Sequence, residues 1–282
     1  MADTTPSGRE SRAVSSCLRL SNLRTTRTST VNPEITVNAY CSANVGELRR
    51  GAHLGALSGR CRRELVVSGQ GLLAGRGAVV SGGSRGIGRA VVELLSELGA
   101  AVVLNGRDGD AVADTVAAIT ASGGRAVAVV GPADDEAVAA ALVDGCRDAF
   151  GRLDILINCA GIAEPPGSSI LDITPAEFDG LISAHVGTVF HTCRAAARAM
   201  VAQGHGTIVN TGSVAFLGDY GGTGYPAGKG AVNALTMAIA AELKATGGRA
   251  NVVCPGARTR LSTGPSTNGT SRICTAADCW TT

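Results

Sequence analysis

The chain of 282 residues is 45% hydrophobic and 3% aromatic, and carries a formal net charge of +2. The apolar share suffices for a sizeable buried core, while the small charge and the shortage of stacking aromatics argue against nucleic acid as a partner. No run of about 18 apolar residues is present to span a membrane. Nine cysteines without a CxxC pair (Cys17, Cys41, Cys61, Cys146, Cys159, Cys193, Cys254, Cys274 and Cys279) argue against a zinc site or a disulfide framework. No metal is expected, and the thiols fit a reducing, cytoplasmic compartment.

Residues 1–71 are rich in Ser, Thr and Arg, poor in acids, and show no sustained apolar period. Three readings stay open for them: a disordered leader, an organelle transit peptide, or a start codon placed too early. From Leu72 the character changes. Val/Ile-rich runs at 77–82, 100–106, 125–131, 153–161, 206–213 and 249–256, each ending in Gly or Ser, read as buried parallel strands. Between them, 86–99, 109–122, 134–150, 175–203 and 226–247 read as helices. Thr174-Pro175-Ala176-Glu177 is a helix start, with Thr as N-cap, Pro at the first position and Glu closing a capping box. Strands alternating with helices predict an α/β fold: a Rossmann-type doubly wound parallel sheet, three-layer αβα, over residues 72–261. Residues 262–282 are too polar for another strand and helix and read as a disordered tail.

The first strand runs into Ser81-Gly82-Gly83-Ser84-Arg85-Gly86-Ile87-Gly88. A glycine turn alone is a weak signal, since any tight strand-to-helix turn favours glycine. Placed after the first strand of a βαβ series, it puts main-chain N–H groups at a helix start where a pyrophosphate can approach. After the second strand, Asn105-Gly106-Arg107 offers no carboxylate for a ribose hydroxyl. Arg85 and Arg107 either flank a 2′-phosphate, which favours NADP over NAD, or are solvated surface arginines.

Tyr225 is one of three tyrosines and stands four residues before Lys229, one of two lysines. At helical spacing the two side chains share a face. An ammonium about 5 Å from a phenol, at an effective dielectric of about 20, favours the phenolate by roughly 3 kcal/mol, or about two pK units. That brings a phenol into the range of general acid/base work near neutral pH. Tyr220 has Gly224 at the same spacing and lacks such a partner.

Together these motifs resemble the short-chain dehydrogenases/reductases. The glycine pattern of Ser81 to Gly88, Asn158-Cys159-Ala160-Gly161, Ser213, Tyr225-Pro226-Ala227-Gly228-Lys229 and Pro255-Gly256 occur in that family's order and spacing, over roughly residues 72–261. The subgroup resembled is that of the NADP-dependent 3-oxoacyl reductases. The resemblance implies an oxidoreductase acting on a small carbonyl or alcohol. Tyr225 would exchange the proton, Ser213 would hold the reacting oxygen, and Lys229 would lower the tyrosine pKa and hold the nicotinamide ribose. Gly82, Ser84, Arg85, Gly86, Ile87 and Gly88 would cradle the cofactor with Arg107, Asn158, Ala160 and Gly161, and Pro255-Gly256 would pass the nicotinamide. Homo-oligomerisation through the helices carrying His185 and Tyr225 is also implied.

Three departures from the family pattern stand out. His185 occupies the place of an asparagine that supports a proton-relay water, and is either a proton carrier titrating near neutrality or a satisfied helix histidine. Pro132 stands where an aspartate often meets the adenine. The family's substrate-covering segment and last strand have no counterpart after Pro255-Gly256, and Thr259 falls one residue early. These departures leave a second reading open: a catalytically impaired nucleotide-binding or regulatory protein.

Overall fold

A computed structural model describes residues 71–218 and 222–255. The expectations for residues 1–70, Tyr220, Gly256, Thr259 and the tail 262–282 lie outside them. Six strands, β1 (Gly77–Ser81), β2 (Ala101–Gly106), β3 (Arg125–Val130), β4 (Ile155–Asn158), β5 (Gly206–Thr211) and β6 (Gly248–Val253), form one sheet in the order β3-β2-β1-β4-β5-β6. Every pairing is parallel, with Val79 facing Val103 on one side and Leu156 on the other.

Side chains alternate across a strand, so the central strand supplies both cores. Val79 joins Leu142, Leu156, Val189, Met200, Ile208 and Val232 under α3 (Glu136–Phe150), α5 (Thr188–Gln203) and α6 (Gly224–Leu243). Ala78 and Val80 join Val92, Leu95, Val102 and Leu104 under α1 (Gly86–Glu97) and α2 (Gly109–Ala121). The result is the three-layer Rossmann-type arrangement.

Two expected elements differ. The run at 153–161 reads as the fourth strand, but only Ile155–Asn158 is strand. After Cys159 donates its backbone N–H to Ser81 O (3.0 Å), the chain leaves the ladder, passing so close to Gly82 that a Cβ there would lie 2.6 Å from Ala160 N. The long helix expected over 175–203 is interrupted. It consists of α4 (Pro175–Ile182), a π turn over Ser183–Gly187, and α5. Such wide turns often mark functional sites, and this one carries the buried His185 ring into a gap floored by glycines. A Cβ on Gly161 or Gly228 would come within 2.9 or 3.1 Å of that ring.

At the amino ends of the strands, Asp154 accepts hydrogen bonds from Gly77 N, Arg76, Arg152 and His205. Burial pushes its pKa up, but the bonds from Arg152, Gly77, Arg76 and His205 outweigh that and hold the carboxyl well below the usual carboxylate range. Across the sheet runs a buried chain of polar side chains. Ser81 donates to Asn158 (2.8 Å), Asn158 to Asn210 (2.9 Å) and Asn210 to Thr236 on α6 (2.9 Å). This chain fixes α6 to the strands whose carboxyl ends build the site.

Candidate active site

Strand order reverses between β1 and β4, and the crevice at their carboxyl ends is where doubly wound sheets take ligands. Gly82 (φ 68°) and Gly86 (φ 55°) lie in the left-handed region that the turn into α1 requires. Gly88 lets the helix close onto that turn, since a Cβ there would sit 2.0 Å from Gly82 O. The α1 N-cap, Arg85, makes no capping bond with its side chain, and the first turn carries no acid. By contrast α2, α3 and α4 are capped by Asp108, Asp135 and Thr174. The amino end of α1 therefore keeps its partial positive charge for a phosphate, and the residues present fit a dinucleotide pyrophosphate.

Around this turn, Ser84 is buried against Gly106, whose absent Cβ would meet its Oγ at 2.5 Å, and Ile87 is half-buried. Arg107 is exposed, and Arg85 forms an ion pair with Asp108. Asn105 is committed to the sheet, donating to Val129 O (3.1 Å) and Gly131 O (2.9 Å). Pro132 is exposed beyond β3.

Opposite the turn, Asn158 spends its whole amide inside the sheet, accepting also from Thr192 Oγ1 (2.9 Å), while Ala160 abuts Gly82 and Gly161 abuts His185. Ser213 follows β5, half-buried, and its Oγ accepts from Ala215 N (3.2 Å). Pro255, also half-buried, is reached shortly after β6.

Tyr225 and Lys229 lie in the first turns of α6. The Lys229 ammonium sits 5.7 Å from the centroid of the Tyr225 ring and donates to Thr211 O at 2.7 Å. It is 5% exposed, and burial pulls its pKa down to about 8, against the opposing pull of the nearby Cys159 and Cys254 sulfurs. The His185 ring meets the Tyr225 ring edge-on, with centroids 5.0 Å apart. His185 is 1% exposed, and neither ring nitrogen has a hydrogen-bond partner among the described residues. Burial, aided by the Lys229 charge, pushes its pKa down to about 3, and the nearby Ile162 backbone only partly offsets this. Of the two expectations for His185, titration near neutrality is the one the structure opposes, because burial beside the Lys229 charge penalises the charged ring.

One buried acid escaped the sequence reading. Glu164, in the loop after β4, accepts from the backbone N–H groups of Thr223 (3.0 Å), Gly224 (3.0 Å) and Tyr225, and from Ser168 Oγ (3.1 Å). No local pattern signals a cap supplied from so far along the chain. Thr211, whose carbonyl anchors Lys229, was likewise read only as part of a strand.

A doubly wound sheet with an uncapped glycine turn at its switch point defines a nucleotide-binding α/β protein. The family model for short chain dehydrogenases matches residues 76–264. The short-chain reductase protein NovJ of Streptomyces niveus is 39% identical over 180 residues, covering 64% of this chain and 68% of that relative. A 3alpha-hydroxysteroid dehydrogenase of Mediterraneibacter gnavus is 38% identical over 188 residues, covering 66% and 74%. Among solved structures, a metagenomic short-chain oxidoreductase in complex with NADP aligns with a TM-score of 0.62 at 36% identity, covering 66% of this chain and 84% of that one. The chain belongs to the short-chain dehydrogenase family, and with it to the NAD(P)-dependent enzymes that act on CH–OH groups.

Proposed function

We propose that the protein is an NADP-dependent oxidoreductase that interconverts a ketone and a secondary alcohol, with Tyr225 as the acid/base. The observation that carries this reading is the buried Lys229 ammonium 5.7 Å from the Tyr225 ring. A positive charge beside the ring favours the phenolate over the phenol. A Lys229 pKa of about 8 leaves the ammonium in place at neutral pH. NADP(H), when bound, supplies or accepts the hydride. In the reducing direction Tyr225 Oη gives its proton to the carbonyl oxygen as the carbon becomes a carbinol, and Ser213 Oγ holds that oxygen. Neutral His185 steadies the Tyr225 ring without adding a second positive charge beside Lys229.

Gly82, Ser84, Gly86, Ile87 and Gly88 would hold the pyrophosphate at the start of α1. Asn158, Ala160 and Gly161 would line the opposite side, and Pro255 would border the nicotinamide. Two features support NADP over NAD: no carboxylate ends β2, and Arg85 and the exposed Arg107 would be available to a 2′-phosphate, Arg85 once released from Asp108. Among the described residues no helix is long and apolar enough to cross a membrane, and Cys146, Cys159, Cys193 and Cys254 are free thiols, which supports a cytoplasmic setting. Exposed Phe190 on α5 and Met237 on α6 support self-association through these helices.

The test is carbonyl-dependent NADPH oxidation over a panel of ketones, with Tyr225→Phe as the comparison. The variant should bind NADPH as tightly as the wild type and lose at least about 1000-fold in turnover, the combined loss of proton transfer and oxygen positioning. Undiminished turnover rejects the assignment.

A further inference from the structure

The amino end of α6 is capped in an unusual way. Its N-cap residue, Thr223, has helical backbone angles (φ −109°, ψ −40°) and makes no capping bond, and the first turn carries no acid. The partner comes instead from the loop after β4. One carboxylate oxygen of Glu164 accepts from Thr223 N and Gly224 N, and the other from Tyr225 N. Gly222 (φ 70°) closes the cradle, since a Cβ there would lie 2.4 Å from Glu164 Oε1. Glu164 is itself buried, 8% exposed, and Ser168 Oγ donates to the same oxygen as Thr223 and Gly224.

We infer that Glu164 is a positioning residue for Tyr225, an inference that rests on the reading of Tyr225 as acid/base. The carboxylate binds the main chain of Tyr225 itself, at the positive end of the helix dipole, where charge-assisted bonds to backbone N–H groups are strong. Its loop leads from Gly161, which abuts His185. One side chain therefore joins the wall behind His185 to the first turn of α6 and fixes where the phenol stands relative to Lys229 and His185. Misplacement of a reacting group by about 1 Å can cost on the order of 100-fold in rate.

The test uses full-length Glu164→Ala and Glu164→Asp proteins. With the best ketone of the panel, Glu164→Ala should lower kcat by about 30- to 100-fold while the NADPH dissociation constant stays within about threefold, and Glu164→Asp should recover part of the loss. Amide hydrogen exchange at 223–225 should accelerate at least about tenfold, with exchange in α1 unchanged. The Tyr225 phenol, followed by NMR of ring-labelled tyrosine, should titrate at least about half a unit higher in Glu164→Ala, because the ring drifts from the ammonium. Loss of the carboxylate charge alone would move that titration the other way. A phenol titration that stays put or falls overturns the inference whether or not the wild type turns over any ketone. So does a kcat within twofold of wild type despite faster exchange. A wild type that binds NADPH but turns over no ketone, with the phenol shift present, defeats the proposed activity and leaves the positioning role standing.

Discussion

Replacing His185 with asparagine should make the protein more resistant to acid. The imidazole is buried neutral, with a pKa pushed down to about 3 from an ordinary value of 6.5. Unfolding exposes the ring, which then binds a proton at any pH below about 6.5. Between the two values the unfolded chain holds the extra proton, so stability falls as pH falls. The contribution is fully present above about pH 6.5 and is lost progressively down to about pH 3. At 1.36 kcal/mol per pK unit, two units below 6.5 remove about 3 kcal/mol by pH 4.5, a large part of a typical domain's margin. Urea unfolding of wild type and His185→Asn at pH 7, 6, 5 and 4.5 reads this directly. The variant should lose about 3 kcal/mol less than the wild type over that range. Parallel losses would show that the ring titrates alike in both states and would refute the sealed-pocket account.

Lys229→Met should trade activity for stability. A lysine pulled down to about 8 from 10.5 costs the fold about 3 kcal/mol below pH 8. Thr211 O loses its donor in the variant, so a net gain of about 2 kcal/mol is expected at pH 7, read by urea unfolding, with turnover reduced at least about 100-fold. In the wild type this cost fades as pH rises from 8 to 10.5. The variant's advantage should shrink over that interval. Arg85→Ala with Arg107→Ala should lower kcat/KM for NADPH about 10- to 100-fold while leaving NADH nearly unchanged, as steady-state kinetics with both cofactors would show. Unchanged kinetics with both cofactors would assign the arginines to the surface.

Much of the fold was legible because parallel strands buried on both faces announce themselves as unbroken Val/Ile runs, as in Gly77–Ser81 and Ala101–Gly106. The capping box at Thr174 was also local enough to read, and both of its bonds are present. The π turn at Ser183–Gly187 was not, because a widened turn arises from tertiary packing of His185 against Gly161 and Gly228 and leaves the apolar period intact. The same holds for the early end of β4, set by the close pass of Ala160 and Gly82. In the site, a four-residue helical spacing was enough to place Tyr225 and Lys229 on one face. The Glu164 cap and the Asp154 cluster were invisible. Their partners lie 59 to 61 residues away for Glu164, and 77 and 78 for the bonds of Asp154 to Gly77 and Arg76, distances over which a single sequence carries no pattern.

The central claim, that a lysine-tuned phenol passes the proton while hydride crosses, is tested most directly with NADPH deuterated at the transferable position. Wild-type protein should deliver one deuterium to the carbinol carbon of the alcohol product, detected by mass spectrometry. Tyr225→Phe, binding NADPH equally well, should yield almost none. Deuterated alcohol formed at equal rates by both proteins would contradict the account.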